Sequence, residues 1–311
     1  IKAMKYAIIY CPKTTLVVKG KMKKQVEDLF QKNSLDYNMY VATKDTTVDK
    51  IVPIAVADGC RTLVIVGGDR SLNLAVNGIL ALSSELQKEI NIGVIPYGTI
   101  NSFSGFWGLR DASVEDCVDY IKKGNVRKID AGCIRYVNKS GESCHRYFLN
   151  CVNLGLSAHI TRVRHNTRRL LFSRKLSFLV STLILIFQRS VYKMRFDLNH
   201  ETVKGNFMTL CVGNCTGYGQ TPSAVPYNGM LDVSAVTITQ LSGMVMGFYL
   251  LLTGKFLKHK NVKPYRTQKI VFSEVQSIAV SVDGAMINTP KGEFTIDINK
   301  EIINFIIPYR K

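Results

Sequence analysis

The sequence predicts an α/β domain built on a parallel sheet, followed by a mainly antiparallel β domain. Three observations predict it. Strand-like and helix-like segments alternate through about the first 130 residues. A glycine pair, Gly67-Gly68, separates a β-branched apolar run from an apolar-periodic segment. From about Ile129 short strand-like pieces follow one another instead. Alternation at that spacing implies parallel strands with helices on both faces.

The first domain opens with a strand at Tyr6–Tyr10. An amphipathic helix follows over Lys19–Asn33, with Val26, Leu29 and Phe30 inward, because these share one face at helical spacing. Tyr37–Val41 is a second strand, Val48–Ala57 a helix and Arg61–Val66 a third strand. The glycine turn leads into a helix over Leu72–Leu82, for which Asp69 or Ser71 is the expected cap. Asn91–Ile95 is a fourth strand ended by Pro96, and Val114–Lys123 a further helix. The second domain reads as strands at Lys128–Ile134, Arg146–Val152, Arg195–Leu198, Phe207–Gly213, Leu231–Thr237, Lys269–Phe272, Ile278–Val282, Glu293–Ile298 and Ile302–Ile307. Helical segments interrupt it near Arg174–Gln188 and Gly243–Phe256.

Bulk properties narrow the partners. With 311 residues and 46% apolar residues, the chain can bury well-packed cores and is not a disordered polymer. A formal charge of +18 favours an anionic partner: a membrane surface, a nucleotide or a nucleic acid. The eight cysteines lie apart, no CxxC pair occurs and the five histidines do not cluster with them, so buried free thiols are expected rather than a zinc site. No signal peptide is legible; Met4 is one candidate for the native start, with a few tag residues before it, and the sequence alone leaves the start open. The longest apolar segment, Leu176 to Phe187, is shorter than the roughly 18–20 residues that a spanning helix needs.

Four loops carry candidate chemistry. Strand, Gly67-Gly68-Asp69-Arg70-Ser71 turn and helix N-terminus together make an anion site, because unpaired backbone N–H groups point outward there. A nucleotide phosphate is the most economical ligand. The loop Tyr97-Gly98-Thr99-Ile100-Asn101 follows the next strand, and two such loops at neighbouring strand ends can line one crevice. A glycine-rich stretch runs from Asn214 through Gly217, Gly219 and Gln220 to Asp232. The last is Asp283-Gly284, which by itself reads as a hairpin turn.

Taken in this order, the four loops resemble those of the diacylglycerol kinase catalytic family, specifically its soluble bacterial lipid kinases. These are related to sphingosine kinases and, more remotely, to NAD kinases. Gly67-Gly68-Asp69 with Ser71, Leu72 and Asn73 is similar to the family's Gly-Gly-Asp-Gly-Thr loop. Gly98-Thr99 with Asn101 and Phe103 is similar to its second nucleotide loop, and Thr43 to its phosphate-contacting threonine. Asp130 matches an acidic position at the domain junction, and Asn214 to Asp232 is the most specific match. Asp283-Gly284 matches its Asp-Gly-Glu.

The resemblance implies a Rossmann-like α/β nucleotide domain over residues 1–130, to which residues 299–311 return. It implies a β-sandwich lipid-acceptor domain over 131–298. It also implies transfer of the γ-phosphoryl of ATP to a lipid hydroxyl with Mg²⁺. Asp283 would be the general base, with Asp69 as the second catalytic residue. Thr43, Gly67, Gly68, Asp69, Arg70, Ser71, Asn73, Gly98, Thr99 and Asn101 would hold the nucleotide. Asp69, Asp130 and Asp232 would order the metal. Six positions depart from the pattern: Cys11, Arg70, Ile100, Ser102, Asn228 and Ala285. Alternatives are a non-catalytic nucleotide- or lipid-binding member and an NAD kinase.

The segment Arg162–Lys175 mixes cations with Leu170, Leu171 and Phe172. Arg164, Arg168 and Arg169 are expected to face an anionic membrane surface, with the protein peripheral on its cytoplasmic side. No nucleic-acid motif accompanies the charge, which argues against that partner. The resemblance leaves a homodimer open.

Overall fold

The computed structural model describes residues 5–12, 20–98, 100–159, 191–275, 278–288 and 290–309. The chain divides into two compact units, Ile1–Asp130 with Lys300–Lys311, and Ala131–Asn299.

In the first unit β1 (Tyr6–Tyr10) lies between β2 (Tyr37–Val41) and β3 (Thr62–Gly67), all parallel. Strand β4 (Asn91–Pro96) continues the parallel sheet beyond β3, and Asn304 and Phe305 of the last strand pair with its start. The central strands β1 and β3 are buried at every position, which is why they read as unbroken apolar runs. Helix α1 (Lys21–Lys32) buries Val26, Leu29 and Phe30, and the Phe30 ring meets Tyr6 and Tyr37 edge-on at 5.7 and 5.6 Å. Helix α2 (Val48–Ala57) packs on α3 (Asp69–Leu80) at Gly78, where a Cβ would come within 3.0 Å of Asp49 backbone.

Two short helices escaped the periodicity argument. Helices α4 (Ser84–Glu89) and α5 (Ser102–Phe106) have six and five residues, too few to repeat an apolar face. Helix α6 (Val114–Lys123) begins where Ser113 Oγ accepts the Asp116 N–H and ends at Gly124, whose φ is +62°.

The second unit is built on antiparallel pairs in the order β14 (Ala285–Met286), β13 (Val280–Val282), β7 (Cys151–Gly155), β9 (Glu201–Gly213), β8 (Tyr192–Leu198), β12 (Lys269–Val275), then the first residues of β15 (Phe294–Ile306). Strand β10 (Leu231–Thr237) pairs with β9 and with β11 (Val262–Thr267), and β5 (Val126–Val137) with β6 (Ser143–Phe148). Phe148, Phe196, Phe272 and Phe294 lie in one core with Val152, Leu210 and Val280. Each such side chain contributes roughly 1.5–3 kcal/mol on burial. Helix α7 (Leu241–Leu252) follows β10.

Three expectations change. Arg146–Val152 is two strands, because the chain turns at Leu149-Asn150 to donate its N–H groups elsewhere. Glu293–Ile298 and Ile302–Ile307 belong to one strand, β15. Strand β11 carries Lys263, Pro264 and Arg266 on exposed positions and so lacked an apolar signature. The expected helix at Arg174–Gln188 lies outside the described residues.

Candidate functional site

In the first unit, two loops meet at the carboxyl ends of β3 and β4. Tyr97 N–H donates to the Gly67 carbonyl at 2.7 Å. Gly68 and Gly98 face each other so closely that a Cβ on Gly68 would lie 2.8 Å from the Gly98 Cα. Gly67 has the same need, since its Cβ would meet Ser71 at 2.8 Å. The loop holds its own shape through Asn101. That residue adopts a left-handed φ of +51°, and its Oδ1 accepts the Gly98 N–H at 3.0 Å.

Helix α3 starts earlier than its apolar period, at Asp69, with Gly68 as an extended cap residue that supplies no side chain. Gly68 thus offers the first-turn N–H groups no capping side chain, the arrangement that receives anions. The expected capping role of Asp69 is corrected. Its carboxylate takes the N–H of Ser102 at 2.8 Å and of Phe103 at 3.1 Å, capping α5 instead. Burial pushes the Asp69 carboxyl up, while these two bonds and Arg110 pull it back. Arg70 stands exposed in the first turn of α3, so its guanidinium points to solvent rather than into the packed loops. Asn73 is buried and its carbonyl accepts from Asn77 Nδ2 at 2.8 Å. Cys11 lies beside Ser71; burial pushes its thiol up and the Ser71 hydroxyl opposes this. Thr43 is exposed and caps a turn by accepting the Thr46 N–H at 3.0 Å. Thr99 lies outside the described residues.

In the second unit Asp283-Gly284 forms the two-residue turn between β13 and β14, with φ of +45° and +76°. Both central residues at positive φ make it a type I′ turn. The turn is also a clamp. Asp283 Oδ1 accepts the N–H groups of Asn150 and Cys151, and Oδ2 that of Leu149, each at 2.9 Å. Asp283 N–H returns a bond to the Cys151 carbonyl. Beside it, Asn150 Oδ1 accepts the Gly217 N–H at 3.0 Å, and Asn214 Nδ2 donates to the Leu149 carbonyl at 3.0 Å. Gln220 links Asn153 and Ser157, at 2.9 and 2.7 Å. Asn153 was not singled out by sequence; Gln220 was named only within the glycine-rich stretch, and Asn150 only within the Phe148-Leu149-Asn150 run that resembles the opening of the family's second domain. The legible signal was an asparagine within the apolar strand Cys151–Gly155.

The carboxylates that resemblance gives to a metal network are committed elsewhere. Asp130 is buried and accepts the Glu301 N–H at 2.9 Å. Asp232 receives a bidentate Arg266 guanidinium, Nε to Oδ1 at 2.6 Å, across the β10–β11 pair. Among the described residues no three His, Cys, Asp or Glu side chains group to hold a metal. These residues therefore do not fit a protein-built magnesium cage. Arg164, Arg168 and Arg169 lie outside the described residues, as does the basic segment around them. All eight cysteines are free, six buried and Cys11 and Cys144 half-buried.

Residues 5–134 match the model of the diacylglycerol kinase catalytic domain, and residues 150–297 that of the YegS C-terminal NAD kinase beta sandwich-like domain. The chain belongs to the diacylglycerol kinase catalytic family. A diacylglycerol kinase of Staphylococcus carnosus is 25% identical over 288 residues, 89% of this chain and 87% of the relative. One from Staphylococcus aureus (strain MRSA252) is 24% identical, over 89% and 84%. Among solved structures, a diacylglycerol kinase from Bacillus anthracis superposes with a TM-score of 0.67 at 15% identity, over 99% of this chain and 98% of the other. Yeast NADH kinase complexed with NADH gives 0.56 at 11%, over 97% and 82%. The fold of this diacylglycerol kinase family member is thus an N-terminal α/β domain plus a C-terminal β-sandwich domain. Membership supports a lipid kinase in general, and with it the use of a nucleotide. No described helix is long and apolar enough to cross a membrane.

Proposed function

We propose that this protein is an ATP-dependent kinase that phosphorylates the hydroxyl of diacylglycerol or a similar lipid alcohol, as a peripheral enzyme at the cytoplasmic membrane face. One observation carries the proposal: the close meeting of the Gly68 and Gly98 backbones beside the start of α3. Only glycine permits that approach of the two loops, and the backbone N–H groups at the start of α3 are the anion donors in this reading. In this reading Gly67, Gly68, Ser71 and Gly98 cradle the ATP phosphates. Arg70 supplies a guanidinium that binds two phosphate oxygens at once. Asn73 and Asn101 keep the cradle in shape, and Thr43 and Thr99 contact phosphate or ribose.

Asp283 is the proposed general base. It takes the proton of the lipid hydroxyl as that oxygen attacks the γ-phosphorus and the bond to ADP breaks. Such proton transfer contributes about 10²–10⁴-fold. Asp69 positions the second nucleotide loop through α5. Magnesium belongs with the ATP phosphates in this scheme, and no step is assigned to it on Asp69, Asp130 or Asp232.

Purified protein with Mg-ATP and mixed lipid micelles is expected to label a lipid alcohol, and Asp283→Asn to abolish the labelling. Labelling that survives Asp283→Asn removes the base assignment. One observation favours a second reading. Both oxygens of Asp283 serve the turn, a purely structural use that a non-catalytic lipid- or nucleotide-binding member would share. Nucleotide binding without labelling of any lipid class selects that reading. Formation of NADP from NAD selects an NAD kinase.

A further inference from the structure

Helix α7 presents the wrong face to water. Its outward positions are Ser242, Val245, Met246, Tyr249 and Leu252, spaced at helical period. Val245 is 58% exposed, Met246 53%, Tyr249 60% and Leu252 67%. Ile238, just before the helix, is also exposed. A helix on the surface of a globular protein normally turns polar residues outward. The inward side is apolar too: Met244 packs with Met208, Leu156 and Leu241. The buried His259 ring holds the helix from below, its Nε2 2.9 Å from the Gly243 carbonyl oxygen.

Charge stands beside this apolar face. From Val233 to Ser273 the chain has six Lys and Arg and no Asp or Glu. Lys255, Lys258, Lys260 and Lys263 follow the helix directly and are all exposed. Apolar side chains bordered by lysines match the boundary between acyl chains and anionic headgroups. Twelve residues make a helix of about 18 Å, too short to cross a bilayer but suited to lie in its surface.

We propose that α7, with Lys255, Lys258 and Lys260, is an interfacial element that seats the second unit on an anionic lipid bilayer. The proposal deepens the lipid-kinase reading and rests on it for the purpose of the contact. The helix also lies near the Asp283-Gly284 turn. A Cβ on Gly219 would touch Leu251 Cδ1 at 3.3 Å, so α7 lies against the Gly217–Gly219 turn. The neighbouring Tyr218 hydroxyl lies 3.3 Å from where a Gly284 Cβ would stand. A lipid surface at α7 is therefore one loop removed from Asp283. A second copy of the chain is the poorer occupant: a symmetric pairing of this face would bring two identical lysine clusters into one interface.

The test is co-sedimentation with vesicles of phosphatidylglycerol and phosphatidylcholine, against phosphatidylcholine alone. The native chain is expected to prefer the anionic vesicles. The triple variants M246S/Y249S/L252S and K255Q/K258Q/K260Q are each expected to lose binding at least about tenfold, with unchanged thermal melting. K21Q/K24Q/K32Q, an equal charge change on exposed positions of α1, is expected to keep it. The proposal is overturned if the native chain binds no vesicles, if either α7 variant binds normally, or if the α1 variant loses as much. It is also overturned if M246S/Y249S/L252S turns a dimer into a monomer with vesicle binding intact. A short-chain diacylglycerol dissolved below its micelle concentration separates the two readings. Labelling of it by the native chain supports the kinase whatever the vesicles show, and vesicle binding without labelling of any lipid sinks the kinase alone.

Discussion

Gly68 and Gly98 touch Cα to Cβ position across the ends of β3 and β4: a methyl added to Gly98 would lie 2.6 Å from the Gly68 Cα and 2.2 Å from Asn101 Oδ1. Neither the backbone nor the Asn101 amide can retreat without breaking the Gly98 N–H bond. Gly98→Ala is expected to destabilise the first unit by about 1–3 kcal/mol and to weaken ATP binding. Denaturant titration and calorimetric binding of ATP check this. Gly59→Ala is a poor control because its φ is +85°; Gly20→Ala, in open space, is the better one and is expected to leave ATP binding unchanged.

Asp69 gives a pH-dependent signature. Burial raises its folded value above the ordinary carboxylate value of about 3.9. The folded state then holds the proton more tightly than the unfolded chain. Its contribution to stability is therefore full below about pH 3.9 and is lost as pH rises through the raised folded value. Measured against Asp69→Asn, which cannot titrate, native stability is expected to decline with rising pH in that window, by at most about 1.4 kcal/mol per pH unit. A flat difference would remove the burial argument.

Asp232→Asn separates a salt bridge from a metal ligand. The Arg266 partner is half exposed, so the expected cost is at most about 1 kcal/mol. The magnesium dependence of ATP binding is expected to stay unchanged. A shifted magnesium midpoint would return Asp232 to the metal.

The thiols are expected to divide by burial. With a thiol reagent at neutral pH, only Cys11 and Cys144 of the eight cysteines should react in the folded protein. Cys11 should be slow because burial raises its thiol. Burial pushes Cys117 up to about 12 and Cys133 up to about 11, so these two should react only on unfolding.

Much of the fold was legible because the sequence obeys local rules. The bounds of β1, β2, α2, α6 and β10 coincide with their apolar runs or periods and with their cap and turn residues. What stayed hidden depends on partners distant in the chain. Asp69 looked like the cap of its own helix, yet its acceptors are satisfied 33 and 34 residues away. The break between β6 and β7 follows from a carboxylate more than 130 residues downstream. The glycine loops could be read locally, since Gly68 and Gly98 are required by close backbone approach and Gly67 by the Ser71 side chain packed against it. The role of Asn150 and Gln220 could not, since both act by binding other loops.

The Asp283 clamp bears on how relatives of this chain are to be compared. An aspartate that shapes a turn and ties down three successive amides would be retained by folding alone. A lineage that stopped phosphorylating anything would keep it for as long as it kept the β-sandwich. Its presence in a relative is thus, by itself, a record of architecture rather than of phosphoryl transfer.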